Sequence, residues 1–217
     1  DGSPRCYGVN FTENCKLLCS CQGEIQVRCP SSLKLEATKV TGKGAAVSAA
    51  VMVGDTLLTK GVSFKDKKFI TYIGSMEQPT ETVLHSEDSD NPNQLIYLSA
   101  NKDYIASMDG VNKLLKIFAF TSIDQLYDIQ LIDMNSPCGV HLTSDAVLIT
   151  DLIGGTLRKY AHSSSKADPI WTCKELTLPT GVTTDESGLI YVTESQSPHI
   201  LSYHQKVSKL HELLCTN

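Results

Sequence analysis

The chain has 217 residues, 41% of them apolar and 20% charged, with a formal net charge of -5 and a pI near 5.7. This is ordinary globular usage with an acidic balance, and it speaks against a nucleic-acid binder, which presents basic surface. No apolar run approaches the roughly 18 residues that span a bilayer as a helix; runs such as LIYL and AVLI have the length of strands.

In chain order, the first feature is a cluster of cysteines. Cys6, Cys15, Cys19, Cys21 and Cys29 fall within the first 29 residues, and Cys138, Cys173 and Cys215 follow much later. Such density implies zinc in a reducing compartment and disulfides in an oxidising one. Asn10-Phe11-Thr12 is a glycosylation sequon, and the opening DGSPRC is what a processed secreted chain presents. The reading is therefore a secreted, extracellular glycoprotein whose eight cysteines pair. EIQVRC alternates apolar and polar residues as a small strand does. A segment this short cannot bury a core, so residues 1–32 are expected to be a separate module held by disulfides. Five and three are both odd. If all eight cysteines pair within the chain, at least one bridge joins the two groups, with Cys215 the expected partner.

GKGAA, residues 42–46, lacks the spacing and the Ser/Thr of a phosphate-binding loop. SEDSDNPNQ, residues 86–94, is an acidic loop. Its Asp88, Asp90 and Asn93 offer oxygens of the kind calcium takes, and a plain solvated loop is the competing reading. Calcium is the one cofactor the sequence suggests.

Beyond it the chain repeats itself. PCGVHLTSDAVLITDL (137–152) and PTGVTTDESGLIYVTES (179–195) both open Pro-x-Gly-Val and both end a strand in Thr-acid. Pro137 and Pro179 are 42 residues apart, and Tyr160 and Tyr203 are 43 apart. DYIASMDGVNKLLKIFAF precedes them with Asp109 and Phe118 each 42 residues earlier, and GDTLLTKGVSFKDKKFITY is a looser copy before that. Each copy reads as short strands rich in Val, Ile, Leu, Tyr and Thr, with turns at Gly154-Gly155 and at Asp185 to Gly188. Four antiparallel strands every 40–45 residues or so is the pattern of a β-propeller blade. The fold class expected is all-β: a small propeller of about four blades over residues 33–217. LKLEATKV (33–40) is expected to close the ring beside the last blade. QKVSKLHELLC (205–215) could form a helical face, but it occupies the fourth-strand slot and is read as strand.

The pattern P-x-G-V-x-x-D-x-x-G-x-I-Y-V-T-E resembles the blades of NHL-repeat and gluconolactonase-like propellers, over roughly residues 45–215. The cysteine spacing C-x3-C-x-C-x7-C resembles the first half of a von Willebrand factor C module, with a first gap of three where that module has two. The propeller resemblance implies two chemistries. One is a metal-dependent hydrolase or lyase with its metal on the channel axis, for which the candidate ligands are His141, Asp109, Asp151 and Glu194. The other is a carrier of an organic ligand in the central channel. The gluconolactonase-like motif places a metal-binding asparagine where this chain has Cys138 and Thr180. A recurring acid also serves a turn, by accepting backbone N–H groups. No H-E-x-x-H or G-x-S-x-G is present. The leading reading is therefore a binding protein for an extracellular protein or small ligand. It has no catalytic residues, no nucleic-acid partner and no membrane span, and it would form an oligomer if its ring is incomplete.

Overall fold

The computed structural model describes residues 6–214 apart from 22, 41–44, 64–67, 78–81, 89–96, 111, 163–167, 175, 197–198 and 205–207. The described residues form twenty strands and no helix, as the strand-length apolar runs require. The strands make five antiparallel four-stranded sheets. The first holds β1 (Cys6–Phe11), β2 (Leu17–Cys21), β3 (Glu24–Arg28) and β4 (Leu35–Val40). The second holds β5 (Ala45–Val53), β6 (Thr56–Ser63), β7 (Lys68–Gly74) and β8 (Thr82–Asp88). The third holds β9 (Tyr97–Ala100), β10 (Tyr104–Asp109), β11 (Leu114–Ala119) and β12 (Gln125–Gln130). The fourth holds β13 (Pro137–Leu142), β14 (Ala146–Asp151), β15 (Thr156–Ala161) and β16 (Trp171–Cys173). The fifth holds β17 (Pro179–Thr184), β18 (Ile190–Glu194), β19 (His199–His204) and β20 (Ser208–Leu214). The chain divides into two compact units, Asp1–Lys102 and Asp103–Asn217.

Two expectations are corrected here. There are five blades, not four, and the additional one is built from the cysteine-rich start. LEATKV, expected as a strand beside the last blade, is β4, paired with β3 in the first sheet. The boundary expected at residue 32 falls between those two strands, where the Cys29 amide donates to the Lys34 carbonyl at 3.0 Å. The physical reason is a face of the first sheet that the sequence leaves without a visible partner. Leu18 and Ile25 are fully buried against Val47, Ala50 and Leu57 of the second sheet. The segment needs no core of its own because the next blade supplies one. Asn10 Nδ2 donates to the Ala50 carbonyl at 2.9 Å across the same junction.

The cysteines are also not all half-cystines. Cys15, Cys19, Cys29, Cys138 and Cys173 are thiols, and Cys21 is disulfide-bonded. Cys138 is buried by packing, with its thiol 3.3 Å from the Thr150 hydroxyl and donating to the Pro179 carbonyl at 3.1 Å. Cys173 lies within an apolar cluster. The bridge expected at Cys215 lies outside the described residues.

In the second unit the repeat becomes a repeated register. Ile105 faces Phe118, Val147 faces Tyr160 and Ile190 faces Tyr203, each on the second and third strands of its sheet. Phe118 and Tyr160 are buried. The core lies between sheets: Leu148, Leu157 and Cys173 of the fourth meet Ile190, Val192 and Leu201 of the fifth. The Pro-x-Gly motif has a mechanical basis. Pro137 pairs with Asp151 and Pro179 with Glu194, and a bulge follows each proline. The bulge turns the glycine amide onto the threonine that precedes the acid. Gly139 N donates to Thr150 Oγ1 at 2.8 Å, and Gly181 N donates to Thr193 Oγ1 at 2.9 Å. Thr150 then donates to the carbonyl of Thr180 in the next sheet at 2.8 Å.

These two glycines predict different costs. A Cβ on Gly139 would collide with the Thr180 carbonyl, whereas one on Gly181 would meet only Thr193 Oγ1, at 2.8 Å. Gly139→Ala is expected to destabilise the protein by about 3 kcal/mol, the upper range of overpacking, and Gly181→Ala by about 1 kcal/mol. Urea denaturation of the two variants measures the difference.

Candidate functional site

The strand register sets one end of the second unit. Pro137, Asp151 and Thr156 are paired across the fourth sheet, so the loop 131–136 and the turn 152–155 emerge together. The acids proposed from sequence as metal ligands all lie at this type of position, and each is occupied in holding backbone. Asp109 accepts the Asn112 amide at 3.0 Å and the Asn112 side-chain amide at 2.7 Å. Asp151, with no exposed surface, accepts N–H groups from Asn135 and Ser136 at 2.7 Å and from Gly154 at 3.0 Å. Gly154 must be glycine, since a Cβ there would strike the Asp151 carboxylate. Glu194 accepts the Thr177 amide. Each carboxylate thus ties down the turns beside it through charge-assisted bonds.

His141 stands apart from them, on β13. Its Nε2 is 3.0 Å from the Thr184 hydroxyl of β17, and burial pushes its imidazole down to about 4. Among the described residues, no three His, Cys, Asp or Glu side chains gather as a metal site needs. The structure does not bring His141, Asp109, Asp151 and Glu194 into one site. Of the acidic-loop candidates, Asp90 and Asn93 lie outside the described residues, and Asp88 is the last residue of β8.

Sequence reasoning missed what the tied loops display. Loop 131–136 is anchored by Leu131 and Met134, both fully buried, and by the two amides on Asp151. Arg158 Nη2 donates to its Asp133 carbonyl at 2.8 Å, and Leu152 N donates to Ser136 O at 2.9 Å. Between these anchors Ile132 is 69% exposed, and on the neighbouring turn Ile153 is also 69% exposed. Both isoleucines thus stand exposed on loops that the Asp151 carboxylate holds in place. The turn residues Asn112 and Lys113 join the same end, where Leu131 N donates to Lys113 O at 2.8 Å and Gln130 Nε2 reaches both of their carbonyls. Gly155 N–C geometry completes it: φ is 60°, and its carbonyl accepts the Leu176 amide at 3.2 Å. The isoleucines carry no motif, so only their position could reveal them.

Among solved structures this chain is similar to one in "Crystal Structure of Mitotic Checkpoint Complex", with a TM-score of 0.68 and 12% identity. The match covers 94% of this chain and 64% of that one, so the chain spans less than two thirds of the length of the solved chain. With the five four-stranded sheets, this likeness shows the fold to be a β-propeller. In all, 789 chains of solved structures match, so the fold does not by itself select an activity. No family model matches the chain, and no curated protein matches it. No helix among the described residues is long and apolar enough to cross a membrane.

Two outcomes follow from the geometry. Asp151→Asn sets an amide against N–H donors inside a buried cradle. It is expected to cost about 3 kcal/mol, the upper end for a bond to a charged group, as read by denaturant melts. His141 has a folded value below its unfolded 6.5, so the unfolded chain binds the proton first. Stability is therefore full above about 6.5 and declines as pH falls toward about 4. His141→Gln is expected to flatten that part of a stability-against-pH curve.

Proposed function

We propose that this chain is a secreted β-propeller that binds an extracellular protein through the loop end of its second unit. One observation carries the reading. The buried carboxylate of Asp151 fastens both the loop of Ile132 and the turn of Ile153, and both isoleucines are 69% exposed. A rigid scaffold that presents apolar side chains on fixed loops is organised for recognition, because little ordering entropy remains to be lost on binding. The acids that a metal-dependent hydrolase would require are engaged with backbone amides instead. Secretion is supported by the sequon at Asn10, which lies on β1. A disulfide at Cys21 fits the same compartment. The propeller of the mitotic checkpoint complex structure sits, by that structure's title, in a protein complex, and a binding role for this chain is in keeping with that use of the fold.

The test is the double variant Ile132→Asp, Ile153→Asp, compared with the native protein for capture of extracellular proteins from its source. Binding of the captured partner is expected to weaken at least tenfold, the effect of losing about 1.4 kcal/mol, with the thermal melt unchanged. Retention of the same partner at the same affinity would remove this surface from consideration. Turnover of lactones or esters, abolished in His141→Ala, would replace the binding reading with a hydrolase.

A further inference from the structure

Three residues of β15 carry polar atoms that the fold leaves unsatisfied. Thr156, Arg158 and Tyr160 alternate along the strand, so their side chains share one face of the fourth sheet. Leu157, between them, packs on the other face against the fifth sheet. Their own face looks toward the third sheet: His162, next in the same alternation, lies against Tyr104 of β10 with ring centroids 4.2 Å apart. Thr156 Oγ1, Arg158 Nε and Tyr160 Oη are all shut off from solvent, and none has a hydrogen-bond partner among the described residues. Thr156 is 7% exposed and Tyr160 1%. Buried polar atoms are seldom left alone, because each has given up water without a replacement.

The charge of Arg158 is equally unmatched. The residue is half-buried, and its Nη2 donates to a neutral group, the Asp133 carbonyl, at 2.8 Å. No salt bridge reaches it among the described residues. Its guanidinium stands beside the Tyr160 hydroxyl without closing a hydrogen bond of normal geometry. Burial raises the proton affinity of that phenol, and Arg158 is the strongest charge acting on it, ahead of Asp133 and Asp151. The oxygens of Asp151 are taken up by three backbone amides, and Asp133 is exposed, where water screens it.

The third sheet shows that packing does not call for these atoms. Its pairs Asp109–Leu114, Ser107–Lys116 and Ile105–Phe118 stand where the fourth sheet has Asp151–Thr156, Ile149–Arg158 and Val147–Tyr160. Leucine replaces the threonine, and phenylalanine replaces the tyrosine. Phe118 is buried as Tyr160 is, so a ring without a hydroxyl fills the same place. The two hydroxyls and the guanidinium are additions to the blade. All three can donate, and Arg158 Nε can only donate. A donor row beside an unpaired guanidinium suits a ligand that has several oxygens and a negative charge.

We propose that Thr156, Arg158 and Tyr160 form a binding site for a tetrahedral oxyanion, a sulfate or phosphate group, beneath loop 131–136. The two hydroxyls and Arg158 Nε donate to its oxygens, and the guanidinium balances its charge. The way in follows Arg158, whose Nη2 end reaches the exposed part of the loop at Asp133. The site uses neither Ile132 nor Ile153 and needs no protein partner, so it stands or falls separately from the binding surface proposed above.

The test is a series of thermal melts in rising sodium sulfate and, separately, sodium phosphate, with ionic strength held constant by sodium chloride. The native melt is expected to rise and then saturate with at least one of the two, as binding to the folded state requires; the general stabilising effect of these salts does not saturate. Comparison of the two titrations tells a sulfate site from a phosphate site. Tyr160→Phe is expected to melt no lower than the native protein in chloride and to need about tenfold more anion for half the shift, the scale of one bond to a charged group. Arg158→Met is expected to lose the saturable shift. Should Arg158→Met fail to fold, Tyr160→Phe combined with Thr156→Val removes both hydroxyls and leaves the charge in place. No saturable shift of the native protein with either anion overturns the proposal. So do variants that respond as the native protein does, or a Tyr160→Phe melt far below native in chloride, which would mean that the hydroxyl already has a partner.

Discussion

The Thr150 hydroxyl joins the two scales of this fold. It accepts the Gly139 amide within its own sheet and donates to the Thr180 carbonyl in the next. One buried hydroxyl, with one proton to give and lone pairs to receive, satisfies a bulge and a blade junction together. The bulge after Pro137 exists so that the glycine amide can turn toward it, and glycine is required because a Cβ would strike the neighbouring backbone. Remove the hydroxyl and the buried Gly139 amide loses its partner, while the Thr180 carbonyl keeps only the Cys138 thiol, at 3.4 Å. The leucine, isoleucine and valine packing between the fourth and fifth sheets depends on the spacing this contact sets.

The acid that follows the threonine has the complementary task. Where the threonine links sheet to sheet, Asp151 links a sheet to the loops at its end, and Asp109 does the same within a single turn. A buried carboxylate is costly unless its oxygens are fully bonded, and three amides on Asp151 meet that condition. The consequence is functional. Loops that ordinarily move are held by a charge, and what they present to solvent, Ile132 and Ile153, is held with them.

The cysteine-rich start shows how composition can mislead. Its density of thiols reads as a module that needs bridges, because 30 or so residues cannot cover their own apolar side chains. In the folded chain Leu18 and Ile25 are covered by Val47, Ala50 and Leu57, which come from the next two strands, β5 and β6. Repeat architecture removes the need for a private core. The first blade lacks the Pro-x-Gly and Thr-acid marks of the later ones, so nothing periodic identified it.

What the sequence determined by itself was the blade: four strands, a period near 42, the aromatic at one register position and the glycine turns at 154–155 and 185–188. These are local, because strand length, alternation and positive φ are set by neighbouring residues. It also identified the recurring acid and the threonine before it, as marks of repetition. Their partners were decided only by tertiary structure. Asp151 finds amides 15 and 16 residues back in the chain, and Thr150 finds a carbonyl 30 residues ahead. A carboxylate's chemistry is the same in a metal site and in a loop clamp; the groups that face it make the difference, and the fold alone brings them there.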